Sequence, residues 1–251
     1  MNKLHTLILM CLLSLVGISA NAQEFHPCDA NHDGTVDVAD IAITANYILT
    51  GEYQPDEPSD DPYNGHEYVD LGLSVKWATC NVGADSPEDY GDYFAWGETE
   101  PKYCYDWNSY KWTSGPYNTL VKYDNDTTDD KTVLDPEDDA AHMNWGGDWR
   151  MPTRAEQDEL CNNCTWEWTT QNGVNGYKVT SNINGNSIFL PAAGNRHNNG
   201  LASANQYGFY WSSSLALANC RYAGCLQFNA SKIERLNLIR NDGRPVRAVC
   251  P

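Results

Sequence analysis

The chain has 251 residues, with 16 basic and 34 acidic side chains, nine cysteines, nine tryptophans and 41% hydrophobic residues. This length provides one sizeable core and a smaller appendage, and the composition is too apolar and too varied for an intrinsically disordered protein. The formal net charge is -18 and no Lys/Arg cluster occurs. Because binding to phosphate backbones depends on such clusters, we expect no nucleic-acid partner.

Residues 1–22 have the pattern of a signal peptide. A mostly apolar run follows the basic residue Lys3, and Ala20-Asn21-Ala22 has the small-x-small form of a cleavage site. A lipoprotein anchor at Cys11 is the alternative, but Met10 precedes this cysteine where a small residue is expected. Neither this run nor any later one is long enough for a membrane span. We therefore expect a secreted chain beginning at Gln23, extracellular, cell-surface or periplasmic, in which eight cysteines are free to form disulfides.

Residues 29–40 have the spacing of a calcium-binding loop. Oxygen-bearing side chains occupy loop positions 1, 3, 5, 9 and 12, and Gly34 at position 6 permits a sharp turn. The expected Ca²⁺ ligands are the side chains of Asp29, Asn31, Asp33 and Asp40, the carbonyl of Thr35, and Asp37 acting through a water. The alternative is a solvated acidic turn before the helix predicted over Ile41 to Thr50.

The loop and its helix resemble one half of a dockerin, a module that joins secreted polysaccharide-degrading proteins to cohesin receptors. The resemblance covers Cys28 to Gly51, and one such loop-helix unit occurs in the chain. It implies calcium binding by a unit over residues 23–51, with a cohesin-like receptor as a further expected partner. Residues 52–64 follow with three prolines, five acidic side chains and no basic one, which indicates a stiff, solvated linker.

Residues 65–251 have the patterns of a second domain rich in β-strands. Alternating apolar residues predict one strand over Val69 to Trp77. Asn184-Gly185 predicts a hairpin between Tyr177–Ile183 and Asn186–Leu190, and Asn241-Asp242-Gly243 predicts another between 236–240 and 245–249.

One clear helix is predicted in this domain, beginning at a capping box in which Thr153 and Glu156 exchange hydrogen bonds. Residues 81–147 lack alternation and predict an extended loop region. These patterns together predict an α+β fold.

Five motifs in this domain recur in the order of a known family. They are Val69–Ala78, Asp138–His142, Trp149–Thr153, Phe189–Gly194 and Tyr210–Ser214. With them the region resembles the Fibrobacter succinogenes major paralogous domain family. The resemblance implies an exported bacterial protein with a C-type-lectin-like fold, in which the chain ends pair in a small antiparallel sheet and long loops carry the binding. It implies no known reaction.

The aromatic residues fall into two groups. Trp149, Trp211, Trp166 and Trp168 occur in framework patterns and are expected in the core. The loop tryptophans Trp107 and Trp112, set among Tyr103, Tyr105 and Tyr110, are the better surface candidates for sugar contact.

The loop region ends in an acidic run over residues 124–139. A solvated loop is the favoured interpretation, and a second calcium site is the alternative.

No catalytic pattern stands out in the sequence. Cys161-Asn162-Asn163-Cys164 has the spacing of a redox or zinc pair, but it lacks a second pair and is expected to be structural. We therefore predict a non-catalytic interaction protein that binds a glycan or an extracellular protein through the lectin-like domain. The alternatives are a polysaccharide-degrading accessory protein or enzyme with an unrecognised active site, and a purely structural surface protein.

Overall fold

The computed structural model describes residues 62–114, 119–124 and 131–251, together with Ile41, Ala42 and Ala45. Contacts within the chain divide it into two units, Met1–Asp60 and Asp61–Pro251. In the first unit the three described residues are helical and exposed. The rest of the helix predicted over 41–50, the signal peptide and the linker up to Asp61 lie outside the described residues.

The second unit is mostly β structure with two short helices among its described residues. Its strands are β1 (Tyr68–Val69), β2 (Lys76–Asn81), β3 (Thr113–Ser114), β4 (Thr119–Leu120), β5 (Cys164–Gln171), β6 (Val174–Ser181), β7 (Ser187–Pro191), β8 (Asn195–His197), β9 (Gly200–Ala202), β10 (Tyr207–Leu215), β11 (Tyr222–Asn229), β12 (Lys232–Ile239) and β13 (Arg247–Cys250). The helices are α1 (Ala140–Trp145), preceded by a 3-10 turn over Pro136–Asp138, and α2 (Arg154–Asn163). Neither described helix is long and apolar enough to cross a membrane.

The strands form several small antiparallel sheets. Three sheets have three strands each, in the orders β1-β2-β13, β5-β6-β7 and β10-β11-β12, and two ribbons pair β3 with β4 and β8 with β9. The predicted α+β class with small antiparallel sheets agrees with this architecture. The first sheet brings the beginning and the end of the unit together through β2.

The hairpin predicted at Asn184-Gly185 is confirmed. β6 and β7 pair in register from Gly176 opposite Pro191 to Thr180 opposite Ser187. Gly185 has a φ of 79°, a conformation that L side chains rarely adopt. Glycine at this position therefore lets the chain reverse direction here.

The single strand predicted over Val69 to Trp77 is wrong, because the chain turns back within it. β1 and β2 are the two arms of a hairpin, in which Val69 lies opposite Trp77. The Asp70 side chain accepts a hydrogen bond of 2.7 Å from the amide of Gly72, which has a φ of 69°. Leu71 is buried all the same, because the bend keeps it directed into the core.

The hairpin predicted at Asn241-Asp242-Gly243 is also wrong. β12 pairs with β11 and β13 pairs with β2, so the segment between them connects two different sheets. Gly243 and Arg196 exchange two backbone hydrogen bonds. The Arg196 amide donates to the Gly243 carbonyl at 2.8 Å, and the Gly243 amide donates to the Arg196 carbonyl at 2.9 Å. These contacts with a distant loop replace the local pairing of a hairpin.

The described part of the second unit contains two helices, whereas the sequence predicts one there. The capping box of α2 is confirmed, since Thr153 accepts from the Glu156 amide and Glu156 accepts from the Thr153 amide. α1 lies inside the predicted loop region, and the buried Asp139 caps it by accepting from Ala141 and His142. Six residues are too few to display a helical period, which explains why the pattern does not predict this helix.

The expected framework tryptophans do lie in or against the core. Trp149 and Trp211 are fully buried. Trp166 and Trp168 are partly buried and pack with edge-to-face geometry on Tyr177, at 5.4 and 5.1 Å between ring centroids. These residues therefore support the fold rather than a ligand surface.

Candidate functional site

The predicted calcium ligands of the first unit lie outside the described residues. They are Asp29, Asn31, Asp33, Thr35, Asp37 and Asp40. Calcium binding by this loop stays a prediction from the ligand spacing.

The acidic run holds a cluster of carboxylates that is already paired with lysines. Ligand oxygens of Asp135, Glu137 and Asp138 lie within 4.8 Å of one another, which is close enough for a metal ion. The ammonium of Lys122 lies 2.7, 3.7 and 2.5 Å from these three carboxylates in turn. A second lysine, Lys131, lies 2.5 Å from Asp135.

The electrostatics of this cluster follow from that pairing. Hydrogen bonds from Lys122 and Lys131 lower the pKa of Asp135. Burial by itself would lower the pKa of Lys122, but hydrogen bonds to the carboxylates raise it. The expectation of a solvated loop is wrong at Asp138, which exposes 1% of its surface. A cation would have to displace a lysine to bind here.

Most of the aromatic side chains in the loop proposed for sugar contact are buried or covered by other side chains. Two of the tyrosines around Trp107 and Trp112, Tyr105 and Tyr110, are buried. Trp107 and Trp112 are partly buried, and Arg or Lys side chains lie over their rings at 4.3 to 5.1 Å. Tyr103 alone of these five is widely exposed, at 79%.

The cysteines among the described residues are free thiols. They are Cys80, Cys104, Cys161, Cys164, Cys220, Cys225 and Cys250. Burial raises the pKa of Cys161, and it raises the pKa of Cys164 to about 11 and that of Cys225 to about 12. A redox or nucleophilic cysteine needs the opposite shift, so these values favour the structural interpretation of the Cys161/Cys164 pair.

A cavity of about 410 Å³ lies beside α1. The Nδ1 atom of its lining residue His142 lies 3.2 Å from the carbonyl oxygen of Trp149, to which it donates a hydrogen bond. Of the other charged lining residues, Asp139 caps α1 and Arg150 pairs with Glu156, whereas Asp148 is exposed. Thr153 and Ser213 also line the cavity, so its polar groups come from several segments of the chain.

One end of a face of the β10-β11-β12 sheet carries partly exposed aromatic and polar side chains, whereas Trp211, farther along β10 on the same face, is fully buried. Tyr207 and Phe209 alternate along β10, and their rings are stacked at 5.9 Å with an interplanar angle of 16°. Phe209 lies opposite Gln227 of β11, which lies opposite Glu234 of β12. Because directly opposed residues share a face, these side chains form one continuous surface. We call Tyr207, Phe209, Gln227, Lys232 and Glu234 the outer-face cluster.

The polar members of the outer-face cluster hold one another in place. Glu234 Oε2 lies 2.7 Å from the ammonium of Lys232 and accepts a hydrogen bond of 3.3 Å from the Gln227 amide. Both contacts use the same carboxylate oxygen, which leaves Oε1 available for a ligand hydroxyl. Among the described residues no hydrogen-bond partner contacts the Tyr207 hydroxyl.

A scan against protein-family models and searches of curated proteins and of solved structures find no match to this chain. The two resemblances therefore depend on the sequence motifs, and the function is argued from the geometry.

The sequence interpretation missed the outer-face cluster. The signal was present in Tyr207-Gly208-Phe209-Tyr210-Trp211, where aromatic side chains alternate with a glycine and a buried tyrosine. Recognising it requires the register of three strands, which places residues 207, 227 and 234 on one surface.

Proposed function

We propose that this chain is a secreted, non-catalytic interaction protein whose second unit binds glycans and whose first unit binds calcium and serves for attachment. The second unit is proposed to be a C-type-lectin-like domain of the major paralogous domain family. The observation that carries the proposal is a difference in exposure between the motif residues and the outer-face cluster. Motif residues such as Trp77, Trp149 and Trp211 are buried, whereas the aromatic and amide groups of the outer-face cluster are partly exposed.

Two features support the lectin-like proposal. Strands β1 and β13, from the two ends of the unit, both pair with β2, which matches the arrangement that the resemblance implies. Between β2 and α1 the described chain forms two short strands, a 3-10 turn and several loops, in keeping with the long loops that the resemblance implies.

The choice of a glycan over a protein partner depends on the side chains of the outer-face cluster. Sugars present apolar C–H faces and many hydroxyl groups, so they suit aromatic rings beside amide and carboxylate groups. A protein partner would favour a wider apolar surface.

The test is a glycan-array screen of the mature chain from Gln23 and of residues 61–251, each with and without calcium. We expect both proteins to bind the same glycans, with little effect of calcium, because the predicted loop lies in the first unit. Failure of both proteins to bind any glycan would contradict the proposal and favour a structural surface protein. Turnover of a polysaccharide that disappears when one carboxylate is neutralised would establish an enzyme instead.

A further inference from the structure

We infer that the outer-face cluster is the glycan subsite of the second unit and that it takes a neutral polysaccharide chain. The inference depends on the proposed function, because it names the surface and the substrate class for the glycan binding proposed above. Three observations carry it: the ring geometry, the charge of the surface and the rigid support beneath it.

The ring geometry provides a contact surface for a sugar. Alternate residues of a strand lie roughly 6.6 Å apart, and the two stacked rings of Tyr207 and Phe209 therefore form a short apolar wall along β10. Phe209 also packs against the buried core, so Tyr207 is the more accessible of the two rings. Gln227 and Glu234 lie in line with Phe209 on the neighbouring strands, where they can bond to the hydroxyl groups of a sugar chain that crosses the sheet from this wall.

The charge of the surface selects a neutral ligand. Lys232 and Glu234 pair at 2.7 Å, so the opposite charges on this face compensate each other. The chain as a whole has a formal net charge of -18, which repels acidic polysaccharides at long range. A basic partner finds no uncompensated carboxylate within the cluster. A neutral glycan is not repelled by the net charge of the chain and does not need an uncompensated carboxylate for binding.

The support beneath the cluster is rigid. On the opposite face of β10, Tyr210 is stacked on Phe228 of β11 at 5.8 Å, with an interplanar angle of 19°. A Cβ atom at Gly208 would lie 2.1 Å from the Phe228 ring, so glycine is required for the close packing of the two strands. Phe228 and Tyr210 expose 1% and 2% of their surfaces. A surface held in this way loses little conformational entropy when a ligand binds.

The experiment measures binding of the mature chain to soluble neutral β-linked glucan and mannan oligosaccharides and to acidic polygalacturonate, by isothermal titration and affinity electrophoresis. The variants are Tyr207→Ala, Gln227→Ala and Glu234→Gln. The matched control is Tyr222→Ala, which removes an aromatic ring that is 36% exposed at the other end of β11, outside the cluster. Glu234→Gln keeps the side-chain shape, so it decides the question if Tyr207→Ala fails to fold.

We expect the wild type and Tyr222→Ala to bind a neutral glycan equally, while Tyr207→Ala weakens binding about tenfold or more, as for a residue at the centre of a binding site. The two polar variants should weaken it by a smaller factor. Neutral-glycan binding that survives all three cluster variants would overturn the inference and leave the proposed function in place. Binding to the acidic glycan alone would overturn the substrate class. Absence of glycan binding in the wild type, here and on the array, would overturn both proposals.

Discussion

Single residues deep in the second unit link elements that are distant in the sequence. Arg247 exposes 1% of its surface, and its guanidinium donates to the side chain of Asn81 and to the carbonyls of Ala78, Thr79 and Phe189, at 2.8 to 3.1 Å. Burial lowers its pKa. The four acceptors compensate for the loss of water around the guanidinium and connect β13 to β2 and β7.

Replacing this arginine should therefore be costly. We expect Arg247→Met to lower the free energy of unfolding by about 2–4 kcal/mol, because it leaves buried oxygen atoms without donors. Urea unfolding at neutral pH measures the change. The control is Arg235→Met, which removes a surface ion pair of 2.8 Å to Asp158 and should cost less than about 1 kcal/mol. A similar small cost for Arg247→Met would contradict the role given to this residue.

At the scale of the elements, the beginning of α2 combines a cap with an ion pair. The Glu156 carboxylate accepts from the Thr153 amide at 2.7 Å and lies 2.6 Å from the guanidinium of Arg150. The backbone of Arg150 is bonded in turn to Val249 of β13. Burial opposes ionisation of Glu156, but the contacts with Arg150 and Thr153 lower its pKa below the ordinary value. The helix is thus attached to the sheet by a carboxylate that favours its charged form.

The sign of this pKa shift predicts how stability depends on pH. A carboxyl with a lowered pKa in the folded state stabilises the protein above its unfolded pKa of about 4.3, and this contribution is lost as the pH falls through the folded value. We expect Glu156→Gln to be less stable than the wild type at neutral pH, and the difference to shrink as the solution is acidified. Urea unfolding over a series of pH values gives the comparison. Thr153→Ala removes the cap without removing a charge, so its cost of about 1 kcal/mol should vary much less with pH. A Glu156→Gln difference that stays constant with pH would speak against this account.

For the whole molecule, two places compete as the site of calcium. The loop over residues 29–40 has the ligand spacing, whereas Asp135, Glu137 and Asp138 have the proximity but are paired with lysine. Metal binding to a preformed ion-pair cluster would have to separate those pairs, whereas the loop has no such competitor in its sequence. We therefore propose that calcium binds to the first unit.

Calorimetric titration of the mature chain with calcium separates the two places. Asp33→Ala should weaken calcium binding about tenfold or more, which corresponds to a loss of 1.4 kcal/mol. Asp60→Ala, in the acidic linker, is the matched control and should bind as the wild type does. If Asp33→Ala binds normally and Asp135→Asn loses the ion, the cation belongs to the lysine-paired cluster and the dockerin-like assignment is wrong.

The sequence by itself determined the features that depend on neighbouring residues. The capping box at Thr153, the hairpin at Asn184-Gly185 and the framework role of Trp149 and Trp211 all follow from local hydrogen bonding, backbone preference or hydrophobicity. Each of these effects acts within a few residues or on one side chain, so it can be recognised in the amino-acid sequence.

The tertiary structure alone decided which residues meet across the chain. It paired β12 with β11 instead of β13, buried Tyr105 and Tyr110, and placed Lys122 among the carboxylates. It also brought Tyr207, Gln227 and Glu234 onto one surface. The physical reason is that exposure, ion pairing and strand register depend on contacts between distant segments, and the free energies of those contacts are set only when the sheets pack together.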